Sequence, residues 1–259
     1  MSIFLQRMPP YEVIIADYGS TREGHRRLLD TIHAFSFHRR GWPGITIYYH
    51  ETDDIWSMSI ARNMGIRRAT GDMVTVMDID IILERRVLQH TARYLKHDNH
   101  VVACSVRDLD EDLEISPLNL NNEWSKLLNF STMRKVGLGA YMAANRDWWF
   151  RVRGYDERMK GWGADDDDIR TRAELDGMNL VRLEKKGVGH SRIYHQPHEK
   201  HQLIKELGKD EFYRLRRDNI KFWNDRRVVK NDENWGLWNP PKKGLKRLLI
   251  TSFSCASTL

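Results

Sequence analysis

The stretch Gly71-Asp-Met-Val-Thr-Val-Met-Asp-Ile-Asp80 decides the fold of this 259-residue chain. The apolar run from Met73 to Met77 is typical of a buried strand, and it ends directly in Asp78-Ile-Asp80. Two carboxylates separated by one residue lie on the same side of an extended backbone, where they can hold a divalent cation and a sugar hydroxyl together. We therefore expect a strand that carries Asp78 and Asp80 to the edge of a sheet.

Strand-like and helical segments alternate on the N-terminal side of this strand. Glu12 to Ala16 and Ile45 to Tyr49 are apolar runs separated by a helical pattern, and Ser59 to Ala69 is a second helical segment. This alternation indicates an α/β fold with a mostly parallel central sheet and flanking helices. Ligands of such sheets bind beyond the carboxyl ends of the strands, where Asp17 and Glu51 also lie.

A second acidic motif, Gly161-Trp-Gly-Ala-Asp-Asp-Asp-Asp168, has the pattern of a glycine loop that leads into a helix. Acidic residues at a helix start are ordinary caps, but four in succession exceed what a cap needs. Their mutual repulsion costs free energy unless substrate hydroxyls or fixed amide dipoles compensate for it. Trp162 adds an aromatic face of the kind that packs on the C–H face of a sugar. The motif predicts that Asp165 to Asp168 face a carbohydrate acceptor.

The first motif and the residues before it resemble a known family. Their order is Ala61-Arg-Asn-x-Gly65, a helix, Gly71-Asp72, an apolar strand and Asp78-x-Asp80. This order resembles the nucleotide-sugar half of GT-A-fold glycosyltransferases, which have a Rossmann-like sheet. The resemblance implies that Arg62 lies near the donor phosphates, that Asp78 contacts the ribose and that Asp80 coordinates a metal. We assign Asp17 and Glu51 to the same nucleotide-sugar site.

The stretch from Gly139 to Ile169 resembles the C-terminal half of β-1,4-galactosyltransferases and related bacterial chondroitin-polymerase-type transferases. The matching residues are Gly139-Ala-Tyr-Met, Gly154-Tyr-Asp and Gly161-Trp-Gly-Ala-Asp-Asp-Asp-Asp-Ile169. Aligned on Trp162, the family's catalytic base falls on Asp166, and Asp165 and Asp167 would hold the acceptor together with Trp162. Asp165 is one methylene shorter than the Glu that is usual there. The two resemblances together cover roughly residues 11 to 198 in the expected order.

The segment from Gly189 to His198, which follows this motif, contains three histidines, at positions 190, 195 and 198. His195 stands where galactosyltransferase-like proteins place a metal-binding His, which implies a metal site made by Asp80 and His195. Such a ligand set favours Mn²⁺ over zinc, with Mg²⁺ as the alternative ion. Arg192 occupies the position of a Met ligand in those proteins and cannot ligate. Either an extra water completes the site or His198 does, and Arg192 meets a phosphate instead.

Length and pattern predict one GT-A-like domain over residues 1–239 and a basic tail over residues 240–259. The donor half covers about residues 11–105, the catalytic half about 130–200, and a helical part 200–239. Beyond Pro240-Pro241 the run from Lys242 to Ile250 is basic and amphipathic. It could lie on an anionic membrane or simply pack on the domain.

The charge and the cysteine content limit the classes of partner and compartment that we expect for this chain. The 42 Lys and Arg against 36 Asp and Glu give a net charge of +6, which suits nucleic acid or anionic nucleotide sugars. No nucleic-acid-binding signature accompanies the charge, so we expect no nucleic-acid partner. Cys104 and Cys255 show neither metal-ligand nor disulfide-framework spacing, and no apolar run reaches the ~20 residues of a membrane span. We expect a cytoplasmic protein, peripheral to a membrane if the tail binds one.

The combined prediction is an inverting, metal-dependent hexosyltransferase. Asp166 would accept a proton from the acceptor hydroxyl while the metal neutralises the departing diphosphate. The resembling families favour a UDP-sugar donor, with galactose or N-acetylgalactosamine preferred and glucose and glucuronic acid left open. The acceptor would be a glycan or a lipid-linked glycan. The alternatives are a non-catalytic sugar-binding module of the same fold and a basic nucleic-acid-binding protein.

Overall fold

The computed structural model describes residues 2–36, 44–113, 120, 123–134, 138–184, 191–198, 202–237 and 246–250. In these ranges the strands are β1 (Glu12–Tyr18), β2 (Gly44–His50), β3 (Met73–Met77), β4 (Ile81–Leu83), β5 (His100–Ala103), β6 (Val106–Leu109), β7 (Ser131–Met133), β8 (Tyr141–Asn145), β9 (Asn179–Arg182), β10 (Ile193–His195) and β11 (Lys246–Ile250). The helices are α1 (Arg22–Ser36), α2 (Met58–Arg68), α3 (Val87–Tyr94), α4 (Trp124–Asn129), α5 (Arg146–Val152), α6 (Asp165–Leu175), α7 (Gln202–Leu207) and α8 (Lys209–Asn224). Within the described ranges no helix combines the length and apolar character that a bilayer crossing requires.

The N-terminal sheet is built on the parallel pair β1 and β2, which α1 connects. Leu28 and Leu29 of α1 pack against Ile45 and Ile47 of β2. This packing buries the apolar side of α1, and it confirms the predicted order of strand, helix and strand. Because the pair is parallel, the carboxyl ends of both strands lie at the same edge of the sheet.

A second sheet has the strand order β3-β8-β5-β9 and contains the largest core. Val74 and Val76 of β3 belong to a buried group that includes Trp148 and Trp149 of α5 and Ile169 of α6. Burial of these large side chains fixes β3 against the two helices. The end of β3, and with it Asp78, is therefore held in place relative to the start of α6.

The third sheet has the order β4-β10-β6-β7 and brings distant residues together. Strand β10 is antiparallel to β4 and parallel to β6. In this register His195 lies opposite Ile81 on one side and Asp108 on the other. The end of β10 thus places His195 beside the Asp78-x-Asp80 turn.

The expectation of a mostly parallel sheet is wrong, because the sheets are mixed. Pairing is parallel in β1–β2, β5–β9 and β6–β10, and antiparallel in the other pairs of described strands. In the second sheet, for example, β8 lies between β3 and β5 and runs antiparallel to both. The α/β class with flanking helices is confirmed.

The C-terminal region contributes two helices and an edge strand. Helices α7 and α8 lie in the segment beyond residue 200 for which the sequence predicted a helical part. In the predicted basic tail, β11 pairs antiparallel with β2, with Lys246 opposite Tyr49. This pairing agrees with a tail that packs on the domain and leaves the membrane alternative without support. Residues 238–245 and 251–259, which include Lys242 and Cys255, lie outside the described residues.

Candidate functional site

Asp78 and Asp80 leave the turn between β3 and β4 toward different partners. The backbone N–H of Asp78 donates to the carbonyl of Ala140 at 3.1 Å, and that of Ile81 donates to the carbonyl of Asp78 at 3.3 Å. From this turn the Asp78 carboxylate reaches Arg62, and the Asp80 carboxylate reaches two histidines. The two carboxylates therefore belong to neighbouring but separate groups of side chains, one around Arg62 and one that contains the two histidines.

Asp80, His195 and His198 form a candidate metal centre. Oδ2 of Asp80 is 3.4 Å from Nε2 of His195 and 3.3 Å from Nε2 of His198. The three ligand atoms lie within 4.8 Å of one another. Oδ1 of Asp80 is buried and has no hydrogen-bond partner among the described residues, as expected for an oxygen that a cation would satisfy. The structure thus joins Asp80 to His195, as predicted, and of the two alternatives for completing the site it favours His198. His190 lies outside the described residues.

A carboxylate behind His195 supports this metal centre. Nδ1 of His195 is 3.2 Å from Oδ1 of Asp108, whose other oxygen accepts from Nε of Arg134 at 3.0 Å. A carboxylate on the second ring nitrogen fixes the orientation of a ligating His. Asp108 lies in β6, opposite His195 of β10. This contact was missed since nothing local in the sequence pairs the two residues.

The electrostatics of Asp80 also fit a cation. Burial raises the pKa of a carboxyl group, but the hydrogen bond and charge of His195, together with the charge of His198, outweigh burial and lower the pKa of Asp80. Asp80 is therefore held in its ionised form, which is the form that ligates a metal.

Arg62 of α2 is the centre of a second group, here named the Arg62 cluster, which consists of Arg62, Asp78, Asp165 and Asp166. Nη1 of Arg62 donates to Oδ2 of Asp165 and to Oδ1 of Asp166, both at 2.8 Å, and Nη2 donates to Oδ1 of Asp78 at 2.9 Å. The Arg62 side chain is only 6% exposed. Burial opposes its charge, yet the negative charges of Asp166 and its neighbours raise the pKa of Arg62 well above the ordinary value. The guanidinium fixes three carboxylates, and its predicted contact with donor phosphates stays a prediction.

The carboxylates of the Arg62 cluster outnumber its single cation. Burial raises the pKa of Asp165 to about 7, and the negative charge of Asp166 adds to this effect while Arg62 opposes it. Burial also raises the pKa of Asp78, again against the opposing charge of Arg62. The folded chain therefore binds protons at this cluster more tightly than free aspartates would.

The loop before α6 has an unusual backbone. Gly161, Gly163 and Ala164 have left-handed φ angles of 67°, 104° and 71°. An alanine rarely adopts this conformation, so Ala164 is strained, and such strain is often found at functional sites. The backbone N–H of Gly161 donates to the carbonyl of Trp56 at 2.7 Å, which ties the loop to the segment before α2. The loop thereby directs the first turn of α6 toward Arg62.

The aspartates at the start of α6 do not share one environment, because successive helical residues point about 100° apart. Asp165 is buried against Arg62, whereas Asp166 touches the same guanidinium with 35% of its side chain exposed. Asp167 is 47% exposed and pairs with Arg170 of its own helix. Asp166 and Asp167 are therefore the two that can meet a ligand directly.

Asp168 points into the protein, so the prediction that all four aspartates face an acceptor is wrong for this residue. Its side chain is 1% exposed, and it accepts from Nε of Arg172 at 2.9 Å and from Nζ of Lys230 at 2.6 Å. The spacing of Asp168 and Arg172 by four residues is the sequence signal that could have indicated this ion pair.

Asp17 and Glu51 lie at the carboxyl ends of β1 and β2, as the strand pattern predicted. Oδ2 of Asp17 is 2.7 Å from Nδ1 of His25, whose ring stacks on Tyr49 with 3.9 Å between ring centroids. Oε1 of Glu51 accepts from Nε of Arg22 at 3.1 Å. The roles of both carboxylates in binding a nucleotide stay predictions. The stacked rings at this edge were not anticipated from the sequence.

Trp162 lies at the surface beside α6. Its side chain is 53% exposed, and the guanidinium of Arg216 from α8 lies over its ring. An exposed ring next to Asp166 and Asp167 in the chain fits the predicted role of Trp162 in holding a sugar. The contact with α8 was not anticipated, because the sequence indicated only a helical part beyond residue 200.

Two family models match this chain. The model of glycosyl transferase family 2 matches residues 2–159, which include the Asp78-x-Asp80 turn. The chain belongs to glycosyl transferase family 2. A model described as the N-terminal domain of galactosyltransferase matches residues 127–199, which include α6 and His195. The resemblance of this family 2 chain to GT-A glycosyltransferases, and of its second half to galactosyltransferases, is confirmed.

Relatives of this family 2 chain are themselves named as transferases. A probable N-acetylgalactosaminyltransferase 9 of Caenorhabditis elegans is 24% identical over 211 residues, which are 72% of this chain and 35% of that protein. Human β-1,4-galactosyltransferase 3 is 25% identical over 177 residues, or 66% of this chain and 39% of that protein. The chain thus spans less than half the length of these relatives.

A solved structure confirms the fold of this family 2 member. The crystal structure of GalNAc-T7 with UDP, GalNAc and Mn²⁺ covers 78% of this chain and 43% of its own, with a TM-score of 0.51 and 14% sequence identity. At that identity the likeness concerns the GT-A fold alone.

Proposed function

We propose that this chain is an inverting, metal-dependent glycosyltransferase that moves galactose or N-acetylgalactosamine from a UDP-sugar to a hydroxyl of a glycan acceptor. The observation that carries this proposal is the Arg62 cluster, in which one buried guanidinium fixes Asp78 and Asp166 beside the Asp80 metal centre. Transfer from a nucleotide sugar needs a carboxylate for the ribose, a cation for the diphosphate and a base for the acceptor. Asp78 would supply the carboxylate for the ribose, and Asp166 would supply the base. Asp80 and the two histidines can hold the cation.

Asp80, His195 and His198 would hold Mn²⁺, with Mg²⁺ as the alternative ion. The unpartnered Oδ1 of Asp80 supports a resident cation, and two imidazole ligands favour a transition metal over Mg²⁺. The ion would supply charge that stabilises the departing diphosphate. The presence of UDP and Mn²⁺ in the GalNAc-T7 crystal structure supports the same choice of nucleotide and ion here.

Asp166 is the catalytic base in this mechanism. Arg62 holds its Oδ1, so Oδ2 of the partly exposed carboxylate remains to accept a proton. The acceptor oxygen bonds to the anomeric carbon as its proton passes to Oδ2 and the bond from that carbon to the diphosphate oxygen breaks. A single displacement from the face opposite the leaving group inverts the anomeric centre.

The acceptor would lie on Trp162 and Asp167, which are both exposed and lie within a few residues of Asp166 in the chain. A ring face stacks on the apolar side of a sugar, and a carboxylate accepts from its hydroxyls. Asp165 was also predicted to bind the acceptor, but its burial and its bond to Arg62 support a different contribution. In this proposal Asp165 orients Arg62, and through it Asp166.

The alternative functions make different demands on these residues. A non-catalytic sugar-binding module would need Trp162 but not a strained loop and a buried charge cluster, both of which cost stability. A nucleic-acid-binding protein would need basic and aromatic side chains along one groove. The names of the relatives add support for transfer of a hexose or of its N-acetylated form.

A nucleotide-release assay tests the proposal. The purified chain is incubated with Mn²⁺ and a panel of UDP-, GDP- and CMP-sugars, and the free nucleotide is measured. We expect slow hydrolysis of one UDP-hexose even without an acceptor, and its suppression by excess chelator. Absence of both release and donor binding across the panel, together with salt-sensitive oligonucleotide binding, would favour the nucleic-acid alternative.

A further inference from the structure

Helix α8 forms a wall beside the loop that carries Trp162. Oδ1 of Asn219 accepts from the backbone N–H of Lys160 at 3.1 Å, and its Nδ2 donates to the carbonyl of Gly163 at 3.1 Å. Leu215 lies against Gly161 on the same side of the loop. These contacts hold the loop in place both before and after Trp162 in the chain. The residues of α8 that face the loop therefore keep a fixed position relative to the acceptor side of the site.

Arg216 extends from this wall over Trp162. Its Cζ is 5.7 Å from the centroid of the indole ring, within the range of a cation–π contact, and its Cγ lies near Gly163. More than half of the Trp162 side chain remains exposed despite this contact. A sugar that stacks on the exposed part of the ring would therefore lie next to a guanidinium group.

The charge of Arg216 is not neutralised within the described part of the chain. Arg214, on the same helix, pairs with Glu211 at 2.6 Å and with Asp218 at 2.9 Å. Arg216 has no carboxylate of a described residue within ion-pair distance. Helix α8 thus leaves a positive charge uncompensated at the place where the acceptor would lie.

We propose that Arg216 selects an acceptor with an acidic sugar residue, whose carboxylate or sulfate group it binds while Trp162 stacks on the ring. This inference rests on the transferase function proposed above. Asp166 and Asp167 give the acceptor side negative charge that repels an acidic sugar, so binding of such a sugar needs a cation from another element. The guanidinium plane offers paired N–H donors that match two oxygens of one anionic group.

Matched acceptors separate charge from shape in the test. The full chain, with the donor found by nucleotide release, is assayed on a uronate-terminated oligosaccharide, on its neutral methyl ester and on a sulfated counterpart. We expect kcat/KM for one acidic acceptor to exceed that for the ester by about tenfold or more. Arg216→Met should raise KM for the acidic acceptor by about tenfold and affect the ester much less, and Arg216→Lys should restore part of the loss.

Arg217→Met is the matched control, because it removes the same charge from the next position, about 100° around the helix. It should leave the preference for the acidic acceptor unchanged. Equal losses on both acceptors in Arg216→Met, or a native preference for the ester, would overturn the inference. A preference for the sulfated over the uronate acceptor would support it and identify the anionic group.

Acceptor binding without turnover distinguishes this inference from the proposed function. Calorimetry of the Asp166→Asn variant with the acidic oligosaccharide, with and without Arg216→Met, requires no transfer. Binding that depends on Arg216 would support the inference even if no donor releases nucleotide. Absence of nucleotide release would contradict only the proposed transferase function. Binding of equal affinity in both variants would remove Arg216 from acceptor recognition.

Discussion

The Asp166 carboxylate occupies the space that a side chain at position 139 would need. A Cβ built on Gly139 would lie 1.6 Å from Oδ2 of Asp166, and the Gly139 carbonyl accepts from Nη2 of Arg62 at 3.2 Å. The backbone of Gly139 is not left-handed, so close approach rather than conformational freedom requires glycine here. Gly139 is thus part of the support of the proposed base.

Gly139→Ala should lower turnover by about 10²-fold, because the added methyl group displaces the Asp166 carboxylate and small misplacements of catalytic groups have effects of this size. Donor affinity should change much less. Gly44→Ala is the control, since a Cβ there meets no atom within 4 Å. Steady-state kinetics on both folded variants checks this. Near-native turnover of Gly139→Ala would show that the position of the carboxylate is not critical.

Asp166→Asn keeps the size of the side chain but removes the proton acceptor. We expect turnover to fall by ~10²–10⁴ while donor affinity, measured by calorimetry, is nearly unchanged. Asp167→Asn should mainly raise the acceptor KM. NMR of the product should show an anomeric configuration opposite to that of the donor. A retained configuration would remove Asp166 from the role of base.

The metal centre predicts unequal effects of its two histidines. His195 is buried and backed by Asp108, whereas the His198 side chain is 52% exposed. His195→Ala should therefore weaken Mn²⁺ binding by about 10-fold or more beyond the effect of His198→Ala. Asp80→Ala should abolish metal-dependent donor binding. Titration with Mn²⁺ by electron paramagnetic resonance measures this directly, and full transfer activity in excess chelator would contradict the proposed centre.

The raised pKa of Asp165 predicts how stability depends on pH. Because the folded chain holds this proton up to about pH 7, the contribution to stability is present below about pH 4 and is lost as pH rises toward 7. Asp165→Asn carries no such proton, so we expect its Tm to exceed that of the native chain at pH 8 and the difference to shrink by pH 5. Thermal unfolding in chelator measures both curves.

Asp167→Asn serves as the comparison for this pH series, because Asp167 is exposed on the same helix turn. The difference in Tm between Asp167→Asn and the native chain should stay the same from pH 5 to pH 8. If Asp165→Asn also runs parallel to the native chain between pH 5 and 8, Asp165 does not hold a proton in the folded state.

Lys230→Met should destabilise the fold by about 3 kcal/mol, because it leaves a buried carboxylate without one of its cations. The Lys230 side chain is fully buried, with Nζ 2.6 Å from Oδ1 of Asp168. Because Arg172 still pairs with Asp168 in this variant, we expect the loss of stability to lie at the lower end of the range for a broken buried ion pair. Lys221→Met, at a site 73% exposed, should have little effect. Urea unfolding compares the two variants.

Local patterns were enough to predict the features that depend on a single strand or helix. The apolar run before Asp78 indicated its strand, and the carboxyl ends of β1 and β3 followed from the same rule. The mixed sheet was not predictable in this way, because the position of β8 between β3 and β5 depends on pairing between distant segments. Helical spacing alone could have shown that Asp168 and Asp166 face different directions.

Residues that act through long-range contacts gave no local signal. Asp108 acquires its role only when β10 brings His195 beside it, and Gly139 only when α6 places Asp166 on its backbone. Arg62 was identified through the family resemblance, but two of its three carboxylate partners, Asp165 and Asp166, lie 103 and 104 residues away in the chain. Such contacts require the three-dimensional arrangement of the sheets.

Because Arg62 bonds to three carboxylates at once, we expect the residues of the Arg62 cluster to change together during evolution. A substitution at Asp78, Asp165 or Asp166 alters the charge felt by the other two through one shared guanidinium. Lineages should therefore keep these four positions as a set, or lose them as a set. Trp162 and Arg216 do not bond to Arg62, and both are exposed to solvent, so each can be substituted independently in related proteins. Acceptor choice can diversify at these surface positions while the reaction itself is inherited intact.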